Sequence, residues 1–165
     1  MWGSTTPNTA SECTWATAPF NNGSNSFNPT YFNSVKDTVC PNGILAKKYD
    51  AATQIMGGDW RMPTKDDFNE LLSGTTNEWV TNYKGTGVSG RKFTSKTNGN
   101  SIFIPASGNR SDSSFYSQGN ICFIWSSSHY TSYTNHAWYL NLSSYNISIL
   151  SDNRDYGYVV RGVRK

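Results

Sequence analysis

The sharpest alternation of apolar and polar positions lies near the C-terminus. In Ala137-Trp138-Tyr139-Leu140-Asn141-Leu142-Ser143, residues Trp138, Leu140 and Leu142 share one side of a strand while Tyr139, Asn141 and Ser143 share the other, because successive side chains of a strand point to opposite faces. This predicts one core face and one wet face. Ile147 and Ile149 continue the alternation against Asn146 and Ser148, and Ser143-Ser144-Tyr145 reads as the hairpin turn between the two runs. A second turn around residues 152–157 leads into a closing strand over 158–164, so the end of the chain predicts an antiparallel meander.

Helical spacing occurs earlier. Leu45, Tyr49, Ala52 and Met56 predict a first helix over residues 45–56, stopped by Gly57-Gly58. The connector Gly58-Asp59-Trp60-Arg61-Met62-Pro63-Thr64 is expected to place Trp60 in the core, with Asp59 and Arg61 bracing loop backbone. A second helix follows over about 64–73: Thr64 and Asp67 form a capping box, Asp66 favours the positive helix end, and Phe68, Leu71 and Leu72 form the apolar stripe. Beyond Gly74 the period becomes two, and runs such as Ser101-Ile102-Phe103-Ile104-Pro105 are punctuated by glycines, which predicts strands and loops. The first 40 or so residues read as loops with short strands whose aromatics, Trp2, Trp15, Phe20, Phe27, Tyr31 and Phe32, plug into a core formed elsewhere. The resulting division is one domain over 1–165, with an entry segment (1–44), two helices (45–73), strands and loops (74–124) and C-terminal hairpins (125–165).

Composition narrows the function classes. Asn, Ser and Thr supply 57 of 165 residues and charged residues only 15%, while aromatics reach 15%, which is not a disordered composition. The net charge of +3 is scattered along the chain, so a phosphate-tracking, nucleic-acid-binding surface is not expected. Cys13, Cys40 and Cys122 show no zinc spacing, His129 and His136 have no ligand partners beside them, and neither metal nor cofactor is expected. No apolar run reaches 18 residues, so membrane insertion is not expected, and the start lacks the pattern of a signal peptide. The chain is therefore expected either not to use that export route or to be a domain excised from a longer protein, with Met1 added.

Between residues 128 and 158, 22 of 31 positions are Ser, Tyr, Asn, His, Asp or Thr. This is the vocabulary of an antibody paratope, where Tyr offers contact area at little entropy cost and Ser or Asn adapt their hydrogen bonds. The alternative is that these residues simply make wettable sheet faces.

Five motifs occur in order: Gly57-Gly58-Asp59-Trp60-Arg61-Met62-Pro63-Thr64, then Asn100-Ser101-Ile102-Phe103-Ile104-Pro105-Ala106-Ser107-Gly108, Trp125-Ser126-Ser127-Ser128, Ala137-Trp138-Tyr139-Leu140 and Val160-Arg161-Gly162-Val163-Arg164. Together with Trp2-Gly3-Ser4-Thr5-Thr6-Pro7 at the start, they resemble the Fibrobacter succinogenes major paralogous domain, a C-type-lectin-like fold of the formylglycine-generating-enzyme type. The resemblance implies an α+β fold with two short helices packed on a small twisted antiparallel sheet and much irregular loop. The chain is also similar to the variable proteins of diversity-generating retroelements, in which adenine-directed mutagenesis rewrites a C-terminal repeat. That likeness implies exposed, diversified ligand-binding positions at His129, Tyr130, Tyr133, Asn135, His136, Tyr139, Asn141, Tyr145, Asn146, Asp152, Asn153, Asp155, Tyr156 and Tyr158.

The implied activity is non-enzymatic display: binding of a protein or glycan receptor on another cell or particle, by a domain of a phage tail or a bacterial cell surface that belongs to a larger protein or assembly. The alternatives are a structural module of a surface or pilus protein, or a formylglycine-generating-type oxidase. The oxidase needs paired thiols, whereas Cys13, Cys40 and Cys122 are far apart in sequence and Cys122, beside Phe123 and Ile124, reads as a buried structural thiol. His129, His136, Asp152 and Asp155 sit in no hydrolytic motif. The tripeptides of calcium-dependent lectins are absent, while metal-free glycan binding through Tyr130, Tyr133, Tyr139 or Trp138 stays open, although Trp138 is assigned to the core.

Overall fold

A computed structural model describes residues 1–111 and 113–164. In chain order the elements are α1 (Pro29–Val39), α2 (Ala51–Met56), β1 (Trp60–Arg61), α3 (Lys65–Gly74), β2 (Thr75–Val80), β3 (Gly90–Ser95), β4 (Ser101–Pro105), β5 (Asn109–Ser111), β6 (Ser114–Tyr116), β7 (Ile121–His129), β8 (His136–Ser143), β9 (Ile147–Asn153) and β10 (Val163–Arg164). The architecture is α+β, with few helices and several small antiparallel sheets.

Helix α1 lies where loops and short strands were expected. Asn28 caps it by accepting the Tyr31 amide at 3.0 Å, and Pro29 occupies the first helical position, where its missing N–H is harmless. Phe32 and Val39 are buried along one side. The expected first helix over 45–56 is shorter: a 3-10 turn at Lys47–Tyr49 precedes α2, which starts only at Ala51. Asp50 sets that start. Its carboxylate accepts the Thr53 amide at 2.9 Å and, within the core, the Met62 amide at 2.9 Å, joining the helix to the connector. Met56, expected on the apolar side, is 49% exposed.

Helix α3 forms as its capping box predicts. Thr64 Oγ1 accepts the Asp67 amide at 3.1 Å, and Asp67 accepts the Thr64 amide at 2.6 Å. Arg61 adds a bidentate pair to Asp67 at 2.6 and 2.8 Å. That guanidinium, with the Thr64 hydrogen bonds behind it, holds the Asp67 carboxyl well below the usual carboxylate range. Arg61 braces the connector through the Met62 carbonyl at 3.1 Å and Asp67, whereas Asp59 is exposed and Trp60 is only half-buried and does not enter the core.

Strands β8 and β9 pair antiparallel as expected, but the third strand of the meander is β7 and not the closing tail. The tail runs beside β7 through a parallel bridge between Val159 and Ile124, and only Val163–Arg164 forms a strand, paired with β1. A second sheet, β2-β3-β4, packs nearby. Arg91 of β3 joins the two, donating to Asn77 Oδ1 at 2.7 Å and to the Ser143 carbonyl.

Strands β7 and β8 are covered on both faces, which overturns the expectation of one wet face there, while β9 is a half-buried edge with Leu150 42% exposed. On one side Cys122, Ile124, Leu140 and Leu142 pack with Phe68 of α3, Phe93 of β3 and Ile104 of β4. On the other, Trp125, Ala137, Tyr139 and Tyr158 pack with Trp2, Phe32 and Val39, and with Ala51 and Ala52 of α2. Arg154, at the turn after β9, is fully buried in this second layer, its guanidinium 3.9 Å from the Phe32 ring and within 5.6 Å of Phe27 and Trp2. None of its side-chain nitrogens has a hydrogen-bond partner among the described residues, and burial pushes its pKa down to about 10.

Candidate ligand-binding surface

Because β7 and β8 are covered on both faces, the fully exposed polar residues of the meander collect at its two ends. The β7–β8 loop forms one end. It is closed by the Tyr130 amide donating to the His136 carbonyl at 3.2 Å and by the His136 amide donating to the Tyr133 carbonyl at 2.9 Å. Tyr130, Tyr133 and His136 form a ring cluster with centroid separations of 5.8, 6.2 and 5.5 Å. Trp138 stands perpendicular to Tyr130 at 4.8 Å. Tyr133 is 61% exposed, whereas Tyr130, His136 and Trp138 are half-buried.

The neighbouring strand fixes the loop. His136 Nδ1 lies 3.3 Å from Ser151 Oγ, and Asn135 Nδ2 donates to Asn153 Oδ1 at 2.6 Å. Burial lowers the His136 pKa, only partly offset by Asp152, so the neutral imidazole is favoured. Below the cluster, Ser128 Oγ accepts the Lys65 amide at 3.0 Å, and Lys65 Nζ rests 3.8 Å from the Trp138 ring centroid. These contacts join the first turn of α3 to the aromatic cluster.

The other end is the β8–β9 turn, closed by the Ser143 amide donating to the Asn146 carbonyl at 2.9 Å. Here Tyr145 is 98% exposed and Asn146 is exposed beside it. Strand β8 has eight residues, so this turn lies roughly 25 Å from the first end. The positions expected to form one surface are thus divided into two.

Three of those positions are buried. His129 is 8% exposed between Trp2 and Phe32, and its Nε2–H donates to the Thr134 carbonyl at 3.2 Å. Burial lowers its pKa and keeps it neutral. Tyr139 is 6% exposed among Phe123, Trp125 and Tyr158, and burial pushes its hydroxyl up to about 12. Tyr158 is 9% exposed and donates to Asp152 Oδ2 at 2.6 Å; burial, then this carboxylate, raises its pKa well beyond the ordinary phenol range. His129 is thus packed by Trp2 and by Phe32 of α1, whereas Tyr139 and Tyr158 are packed by each other and by Phe123 and Trp125 of β7. Asn141, Asp152, Asn153, Asp155 and Tyr156 are half-buried.

Comparison of the chain with family models, with curated proteins and with solved structures gives no match.

Sequence reasoning missed Lys65 as a member of the cluster and assigned Trp138 to the core, keeping it only as an open glycan contact. Trp138 shares its face with Leu140 and Leu142, but the apolar run ends there and His136 follows on the same face. That polar neighbour was the available signal that the core stops short of Trp138. Nothing in the sequence pairs Lys65 with it.

Two clefts lie elsewhere. The first, about 490 Å³, is lined by Asn8, Cys13, Arg110, Phe115 and Tyr158 among others. The second, about 410 Å³, has an apolar floor of Phe68, Leu71, Ile104 and Leu140, with Glu70 and Arg161 among its polar lining residues. Neither includes the aromatic cluster. Cys13, Cys40 and Cys122 are unpaired, buried and placed in three separate core clusters. Burial pushes each thiol up, which makes them poor nucleophiles. Among the described residues no group of three or more His, Cys, Asp and Glu side chains is placed to hold a metal ion, and no helix is long and apolar enough to cross a membrane.

Proposed function

We propose that this chain is a non-enzymatic binding domain that contacts a protein or glycan on a cell or particle through the β7–β8 end of its meander. The carrying observation is the accessible cluster of Tyr130, Tyr133 and His136. It is mounted on strands anchored in the core by Trp125, Ala137, Tyr139, Leu140 and Leu142. Rigid aromatic anchors surrounded by Ser, Thr and Asn are what a recognition surface needs: large contact area, little entropy lost, adaptable hydrogen bonds. The separation and burial of the three thiols argue against the oxidase alternative.

In this reading the fold is C-type-lectin-like and the domain is a variable protein of a diversity-generating retroelement, displayed on a phage tail or a bacterial surface. The order of the sequence motifs supports the first part, and the residue spectrum of 128–158 supports the second. Sequencing the coding DNA and its flanks tests it. The expected finding is a near-copy of the codons for about 125–164, differing at adenines and lying beside a reverse transcriptase gene. Substitutions among natural isolates should concentrate at Tyr130, Tyr133, Asn135, His136, Tyr145 and Asn146 and spare Tyr139, Leu140 and Tyr158. A single-copy segment, or substitutions spread evenly into buried positions, would favour the structural-module alternative.

A further inference from the structure

The Trp138 indole already carries a cation. Lys65 Nζ sits 3.8 Å from its centroid, within the distance at which a ring face attracts positive charge. No ion pair or hydrogen bond of that ammonium is found among the described residues, so the aromatic face is its one observed partner. The main chain of Lys65 is pinned by Ser128 Oγ at 3.0 Å. Its side chain is a flexible four-carbon stem that can swing away.

The rings beside Trp138 carry no charge, the nearest charged groups that act on His136 being Asp152 and Arg154, of opposite sign. Tyr130 stands perpendicular to Trp138, while Tyr133 and His136 extend the aromatic area next to Tyr130, and burial favours the uncharged imidazole of His136. A primary ammonium is strongly hydrated and gives up hydrogen bonds to water when it lies on a ring. A fully alkylated ammonium has no N–H to leave unpaired, presents a broad apolar cationic face, and is the kind of group that aromatic walls recognise well.

We infer that the face of Trp138 covered by Lys65 is a subsite for an alkylated ammonium group of the ligand, with Lys65 as an internal occupant that the ligand displaces. The inference rests on the binding-surface reading above and names the chemistry of one contact within it. Binding exchanges one cation for another over the same ring, so the free protein keeps the indole covered until a better-suited cation arrives.

The test uses tetramethylammonium and choline as probes, with 3,3-dimethylbutanol as the uncharged carbon analogue of choline, read by NMR titration of the backbone amides of residues 128–138 together with the Trp138 indole N–H where it is present. The full chain should show saturable shifts with both cations and much weaker ones with the alcohol. Lys65→Ala, which removes the competing occupant, should tighten cation binding by about two- to five-fold. Trp138→Leu should abolish it. Should Trp138→Leu fail to fold, Tyr130→Ala provides the second variant, expected to weaken binding by removing the buttress. Equal binding of the alcohol and choline, or weaker cation binding in Lys65→Ala, would overturn the subsite while leaving the tyrosine surface and the codon test of the wider reading untouched. Choline phosphate and an N-acetyl trimethyllysine amide then distinguish a headgroup source from a modified-protein source, by which of them exceeds tetramethylammonium.

Discussion

Tyr139 and Tyr145 lie six positions apart around the same hairpin and belong to the same tyrosine-rich segment, yet the structure assigns them opposite energetic roles. Tyr139 is 6% exposed and its ring lies 5.0 to 6.0 Å from Phe123, Trp125 and Tyr158; Tyr145 is 98% exposed. Truncating a buried aromatic to Ala removes its transfer free energy and leaves a cavity, typically about 3–5 kcal/mol. For a chain of 165 residues, each kcal/mol moves the midpoint by about 2–4 °C, so Tyr139→Ala should lower Tm by roughly 6–20 °C. Tyr145→Ala should stay within about 0.5 kcal/mol of the parent. Tyr139→Phe keeps the ring and should lose no more than about 1.5 kcal/mol. Thermal melts followed by near-ultraviolet circular dichroism, with urea titrations for free energies, measure all three. A Tyr139→Ala protein melting within about 2 °C of the parent, or a Tyr145→Ala protein that falls as far as Tyr139→Ala, would refute the two-sided burial of β7 and β8.

Other consequences can be measured. Holding Arg154 charged, with its pKa pushed down from 12.5 to about 10, opposes folding by about 3 kcal/mol, and contact with Phe32 returns about 2 kcal/mol. Arg154→Met, which keeps a stem over Phe32 and removes the charge, should therefore raise the urea-derived stability by about 1 kcal/mol near neutral pH; a loss of several kcal/mol would show that the guanidinium is well paired. Asp67 titrates below its unfolded value of 3.8, so its stabilising contribution is complete above about pH 4 and disappears as the pH falls toward the depressed folded value. Asp67→Asn should accordingly be less stable than the parent by about 1–3 kcal/mol at pH 7, and the gap should close on acidification below pH 4; a pH-independent gap would mean that the charge is not what matters. Cys13, Cys40 and Cys122 should resist a thiol reagent in native buffer and react together in denaturant, whereas one fast native thiol would reopen the oxidase reading.

How much of this was legible in sequence differs by element for physical reasons. The start of α3 was readable because a capping box is local: Thr64 and Asp67 are three residues apart and satisfy one another. The start of α1 was equally local, with Asn28-Pro29 ahead of Phe32, Val35 and Val39, but the surrounding Asn and Ser masked it. The alternation of β8 correctly divided Leu140 from Tyr139. It did not reveal that Tyr139 would also be covered, because the rings around it, Phe123, Trp125 and Tyr158, come from β7 and from the tail and not from β8 itself. For the same reason Trp138 was placed in the core although the packing ends one residue pair short of it. The tyrosine surface was therefore readable as a vocabulary and not as a geometry.

The division of accessible residues between the two ends of the meander has a consequence for how recognition can evolve. Ends roughly 25 Å apart share no side-chain neighbours, and substitutions farther apart than about 10 Å combine additively in most proteins. Changes at Tyr133 should then alter one contact without disturbing another made at Tyr145. A ligand the size of a sugar or a headgroup reaches one end only, so each end can be tuned against a separate target while the strands between them remain unchanged.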